Sequence, residues 1–408
     1  MKDRIVIGQS GGCTAVINAT LVGAVEQARR QSPKARILGA VHGVEGVLSG
    51  QYVNLTDVPA DRLGSLSRTP AACLGSCRYK LRPGDAERVA AELVKREVTA
   101  FLYIGGNDSA DTALSVYTAA RRQRKPFAVI GVPKTIDNDL VVTDHTPGYG
   151  SAARYLACVV PNAGRDSEAM RLDEPVKIIE VSGRNSGWLT CAGTIGKRDG
   201  RDAPQFVWPP EIPFSSRRFL SLVKDWVKRI GFCVVVVGET VRDRSGRPIS
   251  SDKRGASVDA FGHPRIVGAA EFLCDLVRDR LGLRSRWEKM GTIGRTSASH
   301  VSPVDRLEAR RVGAASVRYA LRGESGQEVV LLRKTAEKYR CRVALAPLEE
   351  VANAEKRLAP DMFDPDSMLP TPAFVCYAQP LIGRRLPHYV RLPGITERSL
   401  RVRGKSGT

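Results

Sequence analysis

Long apolar runs are missing from this chain. No stretch approaches the ~20 residues that cross a bilayer. The opening MKDRIVIG goes straight into a strand pattern, with no signal or transit segment. A cytoplasmic protein with no membrane partner is expected. Histidine is scarce, with five in 408 residues, which argues against a His-rich metal centre. The nine cysteines, at 13, 73, 77, 158, 191, 233, 274, 341 and 376, are odd in number and form no C-x-x-C. That argues against a disulfide framework or a zinc knuckle, and most are read as small buried apolar residues. Acids are in deficit: 43 against 63 basic residues, a net charge of +20. Two readings compete: a nucleic-acid binder, or an enzyme for small polyanions with surplus arginine on its surface. There is no aromatic-flanked basic repeat, no RNA-binding strand signature and no zinc finger, so nucleic-acid binding is the minor reading. The tail from residue 384 holds seven basic residues and one acid, and reads as a solvated, partly disordered segment.

The ordinary features are a hydrophobic content of 42% and a charged content of 26%, enough for two or three globular domains. Apolar runs at Arg4–Ile7, Ala100–Ile104, Phe127–Val132, Val176–Val181 and Cys233–Val237 are continuous and rich in β-branched residues. Strands buried on both faces read this way. Helical patterns follow near Ala15–Arg30, Ser109–Arg122 and Ser151–Val160, and from Gly187. The alternation predicts right-handed βαβ units and open parallel sheets, with ligands at the carboxyl ends of the strands. Arg165–Pro175 is read as a charged loop, and Arg242–Gly262 as a long polar excursion.

Polar, Gly-rich turns sit at those strand ends. GQSGGC has Gly11 and Gly12, which let the backbone turn sharply before a helix start that favours an anion. In GGNDSAD, Asn107 and Asp108 are either helix caps or, with Asp111, hard oxygen donors suited to Mg²⁺. GVPKTIDNDL is the most informative, placing Lys134, Thr135, Asp137, Asn138 and Asp139 within six residues. A solvated turn is the plain alternative. A cation there stabilises charge on a transferred phosphoryl group, and a carboxylate accepts the proton of an attacking hydroxyl. EVSGRNSGWL adds Arg184, VVVVGET adds Glu239, and SRWEKMGTIGR adds Arg286 and Arg295, whose guanidinium forks suit phosphate.

Taken in order, these segments resemble the phosphofructokinase family from about Arg4 to about Ala320, and most of all its pyrophosphate-dependent branch. The resemblance implies two Rossmann-like three-layer α/β/α domains with mostly parallel sheets and the active site in the cleft between them. Residues 1–162 would bind the donor, 163–290 the sugar phosphate, 291–383 would complete both, and 384–408 would be a basic tail. It implies reversible Mg²⁺-dependent phosphoryl transfer from pyrophosphate to the C1 hydroxyl of fructose 6-phosphate, a glycolytic step, by a homodimer or homotetramer. By the same resemblance Asp137 would be the general base, with Lys134 and Asp108 completing the catalytic set and Thr135, Ile136 and Asp139 flanking it. Gly12 and Arg78 would lie along the donor, and Asn107 would hold the metal. Ser182, Gly183, Arg184, Glu239, Arg286, Thr292 and Arg295 would hold the sugar phosphate.

ATP-using relatives have glycine in place of Asp108 and of Lys134. The carboxylate is expected to repel ATP where its α-phosphate would continue, by about 4 kcal/mol for like charges ~4 Å apart at an effective dielectric of ~20. Cys13, Ser182, Thr292, Gly294 and Asn107 depart from the family pattern. They keep two alternatives open: an ATP-dependent or sedoheptulose 7-phosphate-preferring kinase, and a non-catalytic paralogue that binds sugar phosphates.

Overall fold

The computed structural model describes residues 3–122, 127–250, 268–335, 339–383 and 385–392. Strand β1 (Arg4–Gln9) shows how the first sheet is built. Ile5 and Ile7 enter the core on one face, and Val6 enters the core on the other. A strand with both faces apolar must be covered on both sides. Flanking it are β2 (Arg36–Ala40), β3 (Tyr52–Asn54), β4 (Ala100–Gly105) and β5 (Ala128–Pro133). The sheet is completed late in the chain by β10 (Gln327–Thr335) and β11 (Arg340–Pro347), giving the order β11-β10-β5-β4-β1-β2-β3. The centre is parallel, and the two edge pairings, β2 with β3 and β10 with β11, are antiparallel.

Helices Ile17–Gln31 and Pro303–Ala320 cover one face of this sheet. They touch at two glycines. A Cβ on Gly23 would stand 2.1 Å from the Arg310 carbonyl oxygen, and one on Gly313 would stand 1.9 Å from that of Thr20. Only hydrogen fits at either crossing.

The second sheet is fully parallel, in the order β7-β8-β6-β9. Its strands are β6 (Val176–Val181), β7 (Phe206–Trp208), β8 (Cys233–Gly238) and β9 (Ser285–Lys289). One apolar cluster joins β6 and β8 to Trp208, Phe219 and Leu273. The molecule is therefore α/β, with two mostly parallel sheets. Helix Tyr149–Ala169 joins them and runs through the expected boundary at 162/163.

One expectation is corrected and a second is refined. Arg165–Pro175 is not all loop: the helix continues to Ala169, held by the Arg165–Glu168 pair at 2.8 Å and by Asp166 on Lys177 at 2.6 Å. The described start of the basic tail is mostly exposed, as expected of a solvated segment, but it is anchored at one point. Arg391 inserts among Glu168, Asp199 and Asp202, each contact at 2.9–3.0 Å, so local acids neutralise it. The tail beyond Leu392, and residues 251–267 of the polar excursion, lie outside the described residues. Six of the nine cysteines are buried and none is paired. Among the described residues, no helix is long and apolar enough to cross a membrane.

Candidate active site

Neighbours β1 and β4 lead into the Gly11–Gly12 turn and the Gly105–Gly106 turn, side by side at the carboxyl edge of the first sheet. Open α/β sheets bind ligands at such a switch point. Backbone hydrogen bonds lock the turns together: Ser10 N–H donates to the Ile104 oxygen, and Lys134 N–H to the Gly105 oxygen, both at 2.8 Å. Gly11 has φ +77°, and a Cβ there would meet Lys134 Nζ at 2.9 Å. Across the gap stand the ends of β6 and β8. Between them lies a cleft of about 650 Å³.

Three cations converge on the glycine turn. Lys134 Nζ donates to the Gly12 oxygen at 2.8 Å. From the place a Gly12 Cβ would occupy, Arg295 Nη1 is 3.4 Å away and Arg78 Nη2 3.9 Å away. Lys134 is only 2% exposed, and burial pulls its ammonium down to about 8.

Opposite them lies an acidic wall. Asn138 sits between Asp137 and Asp139 with φ +58°, a left-handed turn that asparagine tolerates better than most residues. Its buried amide donates to Tyr377 Oη at 2.8 Å and accepts from Thr146 N–H at 3.2 Å. This pivot lets both flanking aspartates line the cleft. Asp137 is fixed through its backbone: its N–H donates to Thr135 Oγ1, and its oxygen accepts from Ser186 Oγ, both at 3.1 Å. Burial first, then Asp139 and Glu239, push the Asp137 carboxyl well above the usual range. Burial also raises Asp139 and Glu239.

Asn107 is not a helix cap. It is the first residue of the helix Asn107–Ala120, behind Gly106, and its amide donates to Asp139 Oδ2 at 3.2 Å. Asn107 Oδ1, Asp137 Oδ1 and Asp139 Oδ1 are buried without a hydrogen-bond partner. Three orphaned hard oxygens facing one cleft fit a small divalent cation. No cluster of three or more His, Cys, Asp or Glu side chains forms a metal cage among the described residues. That donor set suits Mg²⁺, which typically takes one or two protein oxygens plus substrate phosphates. Asp111 is engaged elsewhere, accepting from Asn353 at 2.9 Å.

Most of the residues expected at the site therefore meet. Gly12, Arg78, Asn107, Asp108 and Lys134 line the cleft, as do Thr135, Ile136, Asp137 and Asp139. From the second sheet come Ser182, Arg184 and Glu239, with Arg295 beyond β9. Gly183 shapes the turn between Ser182 and Arg184, with φ +123°. Two of the expected residues stand outside the cleft of the single chain. Arg286 pairs with Lys177 near the amino end of β6, far from the carboxyl edge, and its guanidinium bonds Glu174 outside the cleft. Thr292 is exposed in the short helix Gly291–Arg295 and does not line the cleft. Asp108 stands exposed on the rim, so water screens it more than a buried carboxylate.

Four polar lining residues escaped sequence reasoning: Ser109, Asn185, Arg242 and Glu355. Asn185 donates to both Glu355 oxygens at 2.9 Å, closing the cleft across 170 residues of chain. Asn185 and Arg242 lay inside segments already singled out, whereas Glu355 carried no local signal.

Fold and cleft together define a doubly wound α/β protein of the enzyme type, in which a cationic glycine turn faces a buried carboxylate across one cleft. The chain belongs to the phosphofructokinase family, whose model matches residues 4–320. It is 39% identical over 392 residues to the pyrophosphate--fructose 6-phosphate 1-phosphotransferase of Xanthomonas campestris pv. campestris, covering 95% of this chain and 93% of that one. It is 33% identical over 360 residues to a sulfofructose kinase from Alkalicoccus urumqiensis, covering 88% and 91%. The crystal structure of a pyrophosphate-dependent phosphofructokinase from Nitrosospira multiformis superposes with a TM-score of 0.84 at 33% identity, covering 97% and 96%.

Proposed function

We propose that the cleft transfers a phosphoryl group from pyrophosphate to the C1 hydroxyl of fructose 6-phosphate. Asp137 takes the hydroxyl proton, the C1 oxygen bonds to phosphorus, and the bridging P–O bond breaks. Orthophosphate leaves and fructose 1,6-bisphosphate is formed. The reverse sequence uses the same groups. Lys134, Arg78 and Arg295 hold the donor over Gly12 and offset the charge that develops on the transferred oxygens. Asp108 on the rim disfavours a longer nucleotide chain. Asn107 and Asp139 would hold Mg²⁺, which when bound neutralises phosphate charge and orients the donor. Arg184, Glu239 and Ser182 face the acceptor.

The observation that carries the reading is the buried Lys134 on the Gly12 oxygen, in a loop that also brings Asp137, with one unpartnered carboxylate oxygen, to the lining of the same cleft. A donor assay tests it: fructose 6-phosphate should turn over with pyrophosphate and Mg²⁺, and weakly or not at all with ATP. Equal rates with ATP would overturn the donor assignment.

The acceptor side supports a second reading. Neither Arg286 nor Thr292 lines the cleft, which leaves Arg184 and Arg242 for the acceptor's anionic end. A relative named for a sulfonated sugar stands close in sequence. Side-by-side rates with fructose 6-phosphate, sedoheptulose 7-phosphate and 6-deoxy-6-sulfofructose decide between acceptors. Assembly from identical chains is part of the proposal, supported by the outward Trp287 (45% exposed) and Ile293 (77%) beside the edge strand β9. Light scattering on the eluted protein reads the mass.

A further inference from the structure

The net charge of +20 is only partly absorbed by the cleft, and one part of the remainder is concentrated. A cavity of about 540 Å³ opens between helix Ile17–Gln31, helix Pro303–Ala320 and the β10–β11 hairpin. Its walls carry Arg30, Arg310, Arg311, Arg318, Lys334 and Arg342, with Glu26 as the one acid among the described residues. Glu26 is already taken by Arg310. Arg311 donates to the Cys341 oxygen at 3.0 Å. Arg30, Arg318, Lys334 and Arg342 are exposed and have no ion pair among the described residues. Four uncompensated cations from three separate elements thus face one concavity.

The cavity is separate from the cleft. Gly11 and Gly12 precede the start of the first helix, whereas Arg30 lies near its far end, about 20 Å along the axis at ~1.5 Å per residue. Its volume falls within the roughly 300–1,000 Å³ of small-ligand pockets. Among the described residues no aromatic side chain lines it, so there it lacks the stacking platform that single-stranded nucleic acids use.

We infer that this cavity is a second anion site, which takes a compact polyanion carrying two or more phosphoryl groups. The forked guanidinium groups of Arg30, Arg318 and Arg342 grip its oxygens bidentately, and Lys334 adds a point charge. The site goes beyond the phosphotransfer reaction and does not depend on which donor the cleft uses.

Calorimetric titration of the full chain with inorganic tripolyphosphate at physiological salt tests the site. The comparison is with the triple variant Arg30→Gln, Arg318→Gln, Arg342→Gln, in which all three positions are exposed. The wild type should show a binding event that the variant loses or weakens by about tenfold or more, while pyrophosphate turnover in the cleft stays unchanged. Lys334→Gln with Arg342→Gln, confined to the hairpin, is the second variant should the triple one fold poorly, and it should weaken the same event. Equal stoichiometry and affinity in wild type and folded variants overturn the site. A 20-nucleotide oligothymidylate that binds more tightly than tripolyphosphate, and is lost in the same variants, overturns the small-ligand assignment in favour of nucleic acid.

Discussion

Replacing Asp108 tests the donor choice at a single carboxylate. Like charges ~4 Å apart repel by about 4 kcal/mol at an effective dielectric of ~20, and by about 1 kcal/mol in bulk water. Asp108 is exposed at the rim, so the expected penalty on a longer polyphosphate falls toward the lower end, about 1–2 kcal/mol. That is roughly a 5- to 30-fold factor in specificity. Asp108→Gly should therefore raise kcat/KM for ATP relative to pyrophosphate by about that factor. Asp108→Asn separates charge from bulk. It removes the charge but keeps the side-chain volume, and should recover most of the gain if repulsion is the cause. Glycine in the first turn of helix Asn107–Ala120 is also a poorer helix former than aspartate, by roughly a few tenths of a kcal/mol, so the folded fraction is checked by circular dichroism before rates are compared. A donor ratio within twofold of wild type in both folded variants would refute the repulsion argument.

Asp137→Asn should lower kcat by about 10²- to 10⁴-fold with little change in KM, because its backbone is held independently by Thr135 and Ser186; a rate near wild type removes the assigned base. The pH profile of kcat/KM should be bell-shaped. Asp137 must be deprotonated, so the acid limb lies above the ordinary carboxylate range, and Lys134 must be protonated, so the alkaline limb falls near pH 8; a flat profile to pH 10 contradicts the role of Lys134. His145 is buried between Asp144 at 2.8 Å and Glu308 at 2.7 Å; burial would lower its imidazole, but the two acids raise it above its ordinary value. Its contribution to stability is present in full below the ordinary imidazole pKa near 6.5 and is lost as pH rises through the raised one, so His145→Gln should flatten the alkaline part of the curve of denaturation midpoint against pH. Gly23→Ala should destabilise the fold by about 1–3 kcal/mol, since its Cβ would strike the Arg310 backbone; an unchanged urea midpoint would show that the helices can part freely.

Much of the first sheet was legible locally. Runs such as RIVI and AFLYI are apolar on both faces, and only a covered parallel strand satisfies that pattern. The glycine turn and the Lys134–Asp139 loop were legible for the same reason: polar residues crowded at the end of a buried strand have few places to go but a ligand. Weakly patterned elements were not legible. β3, β7 and β9 are short, and β9 leaves four of its five residues exposed, so no periodicity marks it. β10 and β11 lie beyond the stretch that resembles the family, although they complete its sheet.

Sequence alone determined which loops end the buried strands and which side chains those loops hold, because burial pattern and turn chemistry act over a few residues. Tertiary structure decided which of them meet. Arg78 and Arg295 lie far apart in the chain, yet both close on Gly12, whereas Arg286, equally suited to phosphate, is turned away to Glu174 by its place on β9. Glu355 and the Asn138 pivot owe their positions to partners near or beyond 170 residues away, at Asn185 and Tyr377. A guanidinium has the same chemistry anywhere in the chain, and only packing selects the strand end and the direction in which it points.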